Sequence, residues 1–396
     1  MNEKKNDITW KLMRVDEIGD VISGGTPSTT NPDYWNGEIP FITPLDLSKN
    51  GGAYISNVQR YITEKGLNNS SSNLLPPNSL AISSRAPIGY LSLCKASFVT
   101  NQGCKSINFN KNQSPIFHYY NFQLYVNEMK RYGVGTTFSE ISKGDLCRLK
   151  VNVPEDIVIQ ENIAQILKTC DKVIEQTEAV IAKYKAIKQG MLHDLFTRGL
   201  DKNGKLRPTP AEAPELYKES VLGLIPKDWD VKRLNEIATM KSGEGITSQF
   251  ISNHGNYPVY GGNGLRGFTS SYTHEGEFVL IGRQGALCGN TVRVTGKFYA
   301  SEHAVVVNTF NFIDVDWLFQ KLKGMDLNKY SEASAQPGLA VSKILQLFID
   351  TPSHNEQMLI SKSLLSIDCK LLCEEKVLEK YRSMKMGLMH NLLDQE

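Results

Sequence analysis

A walk along residues 160–196 in alternating steps of four and three meets Ile163, Leu167, Cys170, Ile174, Thr177, Ile181, Tyr184, Lys188, Met191 and Leu195. The same walk from Ile360 meets Leu364, Ile367, Leu371, Glu374, Leu378, Tyr381, Lys385, Leu388 and Leu392. Apolar positions recurring every 3.5 residues predict a long helix with a heptad seam in each stretch, and polar residues interrupt both seams at the same two places. The stretches 160–196 and 357–393 lie over one another without a gap, 197 residues apart. They share twelve identities in 37 positions, among them Gln160/Gln357, Asp171/Asp368, Lys188/Lys385 and His193/His390. Pro154 and Pro352 stand ahead of the two stretches, Ser353-x-x-Glu356 has the form of a capping box, and Gly199 is placed to end the first helix. At 1.5 Å per residue each rod is about 55 Å long. Neither helix can bury its own stripe, so the simplest prediction is that they pack on each other. The pairing residues would be Ile163, Leu167, Ile174, Ile181, Tyr184 and Leu195 with Ile360, Leu364, Leu371, Leu378, Tyr381 and Leu392. The alternative is a seam that pairs with another chain.

The segments ahead of the helices repeat more weakly. Trp10-x-x-x-Arg14-x-x-Glu17-Ile18 with Ser23-Gly24 matches Trp229-x-x-x-Arg233-x-x-Glu236-Ile237 with Ser242-Gly243, and Ser142-Lys143 matches Ser342-Lys343. Between these anchors, short apolar runs such as 80–82, 98–100, 278–281 and 304–307 are broken by Gly, Pro, Asn and Ser. They read as strands of small mixed α/β (α+β) domains. The expected order is a globular unit (1–153), a long helix (154–200), a proline-bearing linker (201–225), a second globular unit (226–351) and a second long helix (352–396).

Composition narrows the class without naming a partner. With 44 Lys+Arg against 42 Asp+Glu the chain carries a formal +2, too little for a histone-like binder, and the excess lies in residues 1–153. No 18-residue apolar run and no leading apolar segment occur, which predicts a cytoplasmic protein. Seven cysteines without C-x-x-C fit reduced, buried thiols better than a disulfide framework or a metal site.

Strings that imitate active sites are weak. Asn31-Pro32-Asp33-Tyr34 lacks the second proline of an amino-methyltransferase loop and reads as a turn. Gly262-x-Gly264-x-x-Gly267 has dinucleotide spacing but no following helical period and no acidic partner, so it too reads as a turn. Neither a P-loop, H-E-x-x-H nor a serine elbow is present, which points to a non-catalytic chain with no metal. What remains are two arginines, each after an apolar run and beside small residues: Arg85 in Ser84–Gly89 and Arg283 in Gly282–Gly285. Amide or acidic strings follow each, Asn101-Gln102-Gly103 and Ser301-Glu302-His303. Such side chains read base edges or clamp phosphates. The alternative for each is a satisfied turn at a strand end.

In order and duplication these features resemble the specificity (S) subunit of type I restriction–modification enzymes. The resemblance is carried by Trp10–Ile18, Ile22–Ser28, Tyr34–Pro40, Ser84–Gly89, Asn101–Gly103, Gln160–Leu167, Lys188–Gly199 and Leu222–Trp229. It implies two target recognition domains, each reading half of a bipartite double-stranded DNA target, joined by two antiparallel helices that set the gap. It also implies docking of two methyltransferase subunits, which hold S-adenosylmethionine and methylate adenine N6. Restriction subunits would use ATP and Mg. Carried onto this sequence, Arg85 and Arg283 are the first DNA-contact candidates, followed by Gln102, Lys143, Arg266, Glu302 and Lys343. The second unit shows no sequence equivalent of Thr26-Pro27-Ser28 or Asn101-Gln102-Gly103, so the half-sites are expected to differ. Other readings are a modification-only assembly and a coiled-coil scaffold that binds protein.

Overall fold

The two heptad stretches form single helices, Ile157–Thr197 and His354–Leu393. Gly199 takes φ +63 just past the first, and the amides of Arg198 and Gly199 both return to the Asp194 carbonyl, as in a glycine-terminated helix end. The structure is a computed structural model that describes residues 9–85, 87–133, 140–285, 288–331 and 338–394. It divides into two compact units: residues 1–179 with 375–396, and residues 180–374. Each unit thus owns one globular body, part of one long helix and the complementary part of the other.

In the first unit the strand pair Trp10–Arg14/Lys150–Pro154 closes the body. A four-stranded antiparallel sheet runs in the order Gly19–Ser23, Cys104–Phe109, Leu80–Ser83, Leu91–Leu93. Beside it lies a three-stranded sheet, Arg60–Ile62, Trp35–Ile42, Val99–Thr100, whose last pairing is parallel. Leu80, Ile82, Ile107, Phe117, Tyr120 and Phe122 fill the core together with Ile163 and Leu167 of the first long helix and Met389 and Leu393 of the second. Burying a side chain of this size removes about 1.5–3 kcal/mol of apolar hydration, so each helix end belongs to the core it caps.

The second unit has the same plan with one simplification. Its strand pair is Asp230–Arg233/Phe348–Thr351. One ten-residue strand, Thr291–Ala300, does the work of both Leu91–Leu93 and Val99–Thr100, so the two sheets fuse. The result is six-stranded: Ala238–Ser242, Ala304–Thr309, His274–Gly282, Thr291–Ala300, Tyr257–Gly261, Gly264–Thr269. Leu195, Ile360 and Leu364 of the long helices join Val279, Val305, Trp317 and Leu318 in its core.

The repeat is visible in hydrogen bonds as well as in sequence. The amide oxygen of Gln160 accepts from Ser114 N at 2.8 Å while its NH2 donates to the Pro154 carbonyl at 2.8 Å. Gln357 does the same with Asp314 N at 2.8 Å and the Pro352 carbonyl at 2.9 Å. Ser114 and Asp314 cap the helices Pro115–Leu124 and Val315–Gly324, so both glutamines pin a domain helix to a long one.

One of the two polar columns in the seam, Lys188/Lys385, also finds partners across the helices. Lys385 pairs with Asp171 at 2.5 Å in the first unit, and Lys188 with Asp368 at 2.5 Å in the second. These are the same two aligned columns of the repeat, used once in each unit. Within the first unit Glu178 meets Arg382 at 2.5 Å as well, and the two pairings, 171 with 385 and 178 with 382, run in opposite senses, so the helices pair antiparallel. Of the expected pairing residues, Ile163, Leu167, Ile181, Leu195, Ile360, Leu364 and Leu371 are buried, whereas Ile174, Tyr184, Leu378, Tyr381 and Leu392 are half-buried.

Two local expectations change. Ser353 accepts from Glu356 N, but the Glu356 carboxylate does not return to close a capping box. Its Oε1 takes Leu200 N at 2.7 Å and Arg207 at 2.6 Å, and Trp229 Nε1 donates to it at 3.1 Å. A carboxylate desolvated this far pairs with the nearest guanidinium rather than with its own helix end. The segment 201–225 is therefore tied down by Arg207 and contributes to a hairpin, Tyr217–Ser220/Gly223–Pro226. Second, Cys94, Cys104 and Cys288 are buried and all seven thiols are free, but Cys369 and Cys373 are exposed on the second long helix. No helix among the described residues is long and apolar enough to cross a membrane.

Candidate nucleic-acid interface

Both bodies carry the same backbone frame at one end of the sheet. In the first unit Gly24 N donates to the Cys104 carbonyl (3.2 Å) and Gly25 N to the Thr100 carbonyl (2.9 Å). The turn Asn101–Cys104 closes at 3.0 Å, and Ser84 N donates to the Gly103 carbonyl at 2.8 Å. In the second, Gly243 N donates to the Ala304 carbonyl (2.9 Å) and Glu244 N to the Ala300 carbonyl (2.9 Å). The turn Ser301–Ala304 closes at 2.9 Å, and Arg283 N donates to the His303 carbonyl at 2.8 Å. A Cβ on Gly24 would lie 1.9 Å from the Asn101 carbonyl oxygen, and one on Gly243 would lie 2.2 Å from that of Ala300. The repeated Ser-Gly is thus the point where two backbones touch. Ser301-Glu302-His303 therefore occupies the place of Asn101-Gln102-Gly103, and the equivalence that the sequence hides is present in the structure.

The frame also shifts two sequence pairings. Ser84 N and Arg283 N make the matching bond, so Arg283 corresponds to Ser84, and Arg85 corresponds to Gln284. The bridges agree: Arg85 faces Glu140 and Gln284 faces Gly338. The two arginines are one residue out of step, which turns their side chains to different faces. Likewise Ile141 and Leu339 both donate to this frame, at 2.9 Å to the Ser84 and Arg283 carbonyls. Ser142 caps the helix Lys143–Arg148, and the matching cap is Ala340 before Val341–Leu345. Lys143 thus opens its helix while Lys343 lies two residues into the other, about 200° around the helix axis.

Around each frame the expected contact residues cluster by unit. In the first, the Thr26 hydroxyl donates to Gln102 Oε1. The Arg85 Nε donates to Glu140 Oε2 at 2.9 Å, and Lys105 Nζ reaches Glu140 Oε1 at 3.3 Å. Burial alone would push the Glu140 carboxyl up, but the hydrogen bonds from Arg85 and Lys105 outweigh it and hold the group below the usual carboxylate range. In the second, Arg283 Nη1 donates to the Ser242 hydroxyl at 3.1 Å. Ile246 N donates to Glu302 Oε2 at 3.4 Å, and His303 Nε2 lies 3.2 Å from Glu302 Oε1. A Cβ on Gly262 would meet the Gln284 carbonyl at 2.8 Å, so the tip of the hairpin Tyr257–Gly261/Gly264–Thr269 lies against this cluster. Arg266 and its neighbour Leu265 are exposed on that hairpin, and so is Phe250 beside it. Lys143 and Lys343 are exposed.

Sequence reasoning missed Lys105, Glu140 and Gln284. Lys105 lies in Cys104–Phe109 with a fully or nearly buried residue on either side, a lysine where a half-buried strand expects an apolar residue, and that was the available signal. Glu140 follows residues 134–139, which lie outside the described residues, as does Ala86 of the Ser84–Gly89 string. The two imitation motifs are turns. Asn31 Oδ1 caps a short 3-10 turn through Asp33 N, and Gly264 takes φ +84 in the hairpin.

A family model described as the type I restriction modification DNA specificity domain matches residues 7–185 and, a second time, 226–380. The chain belongs to this family. It is a DNA specificity subunit, the non-catalytic part of a type I restriction–modification complex. It is 32% identical over 385 residues to the EcoprrI specificity subunit of Escherichia coli, covering 91% of this chain and 88% of the relative. It is 22% identical over 416 residues to the MjaVIII specificity subunit of Methanocaldococcus jannaschii, covering 97% and 92%. Among solved structures, the type I S subunit from M. genitalium superposes with a TM-score of 0.64 at 20% identity, over 100% of this chain and 99% of that one. That likeness extends the shared fold over the full chain. In this specificity subunit the two target recognition domains therefore carry one frame and two unlike sets of side chains.

Proposed function

We propose that the two domains, bounded near 1–153 and 226–351, each read one half of a bipartite duplex target, and that the halves are different sequences. The observation that carries this is the repeated frame with Arg85, Gln102 and Glu140 at one copy and Gln284, Glu302 and Gly338 at the other. Identical scaffolds bearing unlike donors and acceptors select unlike base edges. Arg85, Gln102 and Lys143 serve the first half-site, and Arg266, Arg283, Glu302 and Lys343 the second. The lysines grip phosphate and give salt dependence; the arginines and amide or acidic groups give sequence choice. The long helices are proposed as the spacer that sets the gap between the half-sites.

The same helices are proposed to dock two methyltransferase subunits, with restriction subunits joining in the cytoplasm. S-adenosylmethionine, ATP and Mg would bind those partners. Supporting this, each helix keeps apolar side chains in solvent: Ile166 and Ile187 on the first, Leu365, Leu372 and Met386 on the second, the last 73% exposed. Apolar residues that line a helix outside its seam offer a surface that another protein can cover.

The test is selection of bound duplexes from a randomised library by the full chain in complex with its methyltransferase. Two separated blocks of sequence are expected. Arg85→Ala should weaken discrimination in one block only by about 1–3 kcal/mol, and Arg283→Ala in the other. A single contiguous block, or one block weakened by both substitutions, would contradict the reading.

A further inference from the structure

Lys105 is a buried lysine in the strand next to the Arg85 turn, its side chain only 8% exposed. Its ammonium meets two side chains, Glu140 Oε1 at 3.3 Å and Ser84 Oγ at 3.5 Å. A desolvated ammonium demands an ionised partner, so Glu140 is held as a carboxylate and cannot swing away without stranding a buried charge. Its other oxygen, Oε2, takes Arg85 Nε at 2.9 Å, where the arginine side chain is half exposed. The backbone adds a second tie, an antiparallel bridge between Arg85 and Glu140. Among the described residues only Nε of Arg85 is engaged, which leaves the Nη edge of the guanidinium directed by the carboxylate rather than consumed by it. An arginine reads a guanine through two parallel N–H donors, and that geometry is selective only if the planar fork arrives already oriented.

The second unit lacks the arrangement. On the matched frame Arg85 becomes Gln284, Glu140 becomes Gly338 and Lys105 becomes Val305, which pairs with Ile281 as Lys105 pairs with Ile82. A structural salt bridge needed by the scaffold would be expected in both copies; this one occurs only where an arginine occupies the outward position.

We propose that Glu140 is a positioning residue for the first half-site: anchored from beneath by Lys105, it aims the Arg85 guanidinium, and so sets how sharply this unit discriminates bases. The proposal rests on the reading that Arg85 faces DNA, and the second unit supplies the internal control.

The experiment uses the full chain with its methyltransferase subunit, a randomised duplex library to measure preference, and a duplex lacking the selected sequence to measure non-specific affinity at several salt concentrations. Glu140→Gln should lower discrimination in one half-site about tenfold while leaving the other half-site unchanged. Affinity for the non-specific duplex should hold or rise, because the freed guanidinium becomes available to phosphate. Glu140→Asp, which keeps the charge, should restore part of the discrimination. If Glu140→Gln does not fold because it strands Lys105, the double variant Lys105→Met with Glu140→Gln removes the buried charge and should show the same one-sided loss. Retention of both half-site preferences in these variants would overturn the proposal. So would a fall in both half-sites together with non-specific affinity. Arg85→Ala separates the layers: no effect of that substitution at either half-site removes the underlying reading, whereas a one-sided loss there with none in Glu140→Gln removes only the positioning role.

Discussion

The two units make the same hydrogen bonds with different residues, and where they diverge is instructive. After the parallel strand pairing, Phe41–Ile42 with Val99–Thr100 in one unit and Val259–Tyr260 with Tyr299–Ala300 in the other, the chains part company. The first unit turns at Thr43-Pro44 into a capped helix, Pro44–Lys49, and a long excursion to residue 60. The second makes a tight glycine hairpin that exposes Leu265 and Arg266. Elsewhere they differ in what they bury. The first encloses His118 where the second has Leu318, and the second encloses Arg207 with Glu356 where the first has Ile159 at the aligned helix position. Divergence is thus found at the rim proposed to meet DNA and at a few buried polar sites, while the bonds that connect helix to sheet are kept.

The largest effect that would sharpen this contrast is at Glu356. Glu356→Gln leaves the buried Arg207 with only the exposed Asp228 carboxylate, 2.7 Å away, as a charged partner and should destabilise the second unit by about 3 kcal/mol, the low end for breaking a buried pair. Trp229 donates its indole N–H to this carboxylate, so tryptophan fluorescence in a denaturant titration, with Trp10 and Trp35 of the first unit replaced by Phe, reports the loss. An unfolding midpoint equal to that of the unaltered chain would show that the network contributes nothing that the first unit lacks.

Next comes His118, whose ring is fully buried, stacked on Phe109, and paired through Nε2 with Gln113 at 2.8 Å. Burial pushes its pKa down to about 3, so the folded first unit keeps it neutral. The unfolded chain takes up the proton near pH 6.5, and the folded form does so only near 3. The stability contribution is therefore complete above about 6.5 and is lost as the pH falls, by about 1.4 kcal/mol per unit, or about 2 kcal/mol at pH 5. His118→Leu, which copies the second unit, should flatten that part of the pH–stability curve. A curve of unchanged slope between pH 6.5 and 5 would place the acid sensitivity elsewhere.

The helices and the duplication were legible because a heptad seam is a local, repeated signal and because Gln160, Asp171 and Lys188 recur at one fixed offset. Even one of the two polar breaks proved meaningful, since Lys188 and Lys385 meet Asp368 and Asp171. The proposed DNA-contact surface was legible only in outline. Arg85 and Arg283 look like counterparts along the chain, but the offset between the two copies changes from anchor to anchor, which separates them by one residue and displaces Lys343 from Lys143 by two. Lys105 and Glu140 stand 35 residues apart, and Glu356 and Arg207 stand 149 apart. No periodicity joins them; only the closed sheet and the packed helix do. Glu356 also shows a motif misleading by being satisfied elsewhere, because Ser353-x-x-Glu356 has the spacing of a cap while burial commits the carboxylate to Arg207 and Trp229.

One frame, used twice with unlike side chains, is proposed to yield two unlike half-sites. The most direct measurement is a map of N6-methyladenine in the genome of cells that express this chain with its methyltransferase, compared with cells lacking it. A frame used twice in this way should give a single new motif of two short, non-identical blocks separated by a fixed gap of unspecified bases. A contiguous motif, or two blocks that are inverted copies of each other, would contradict it.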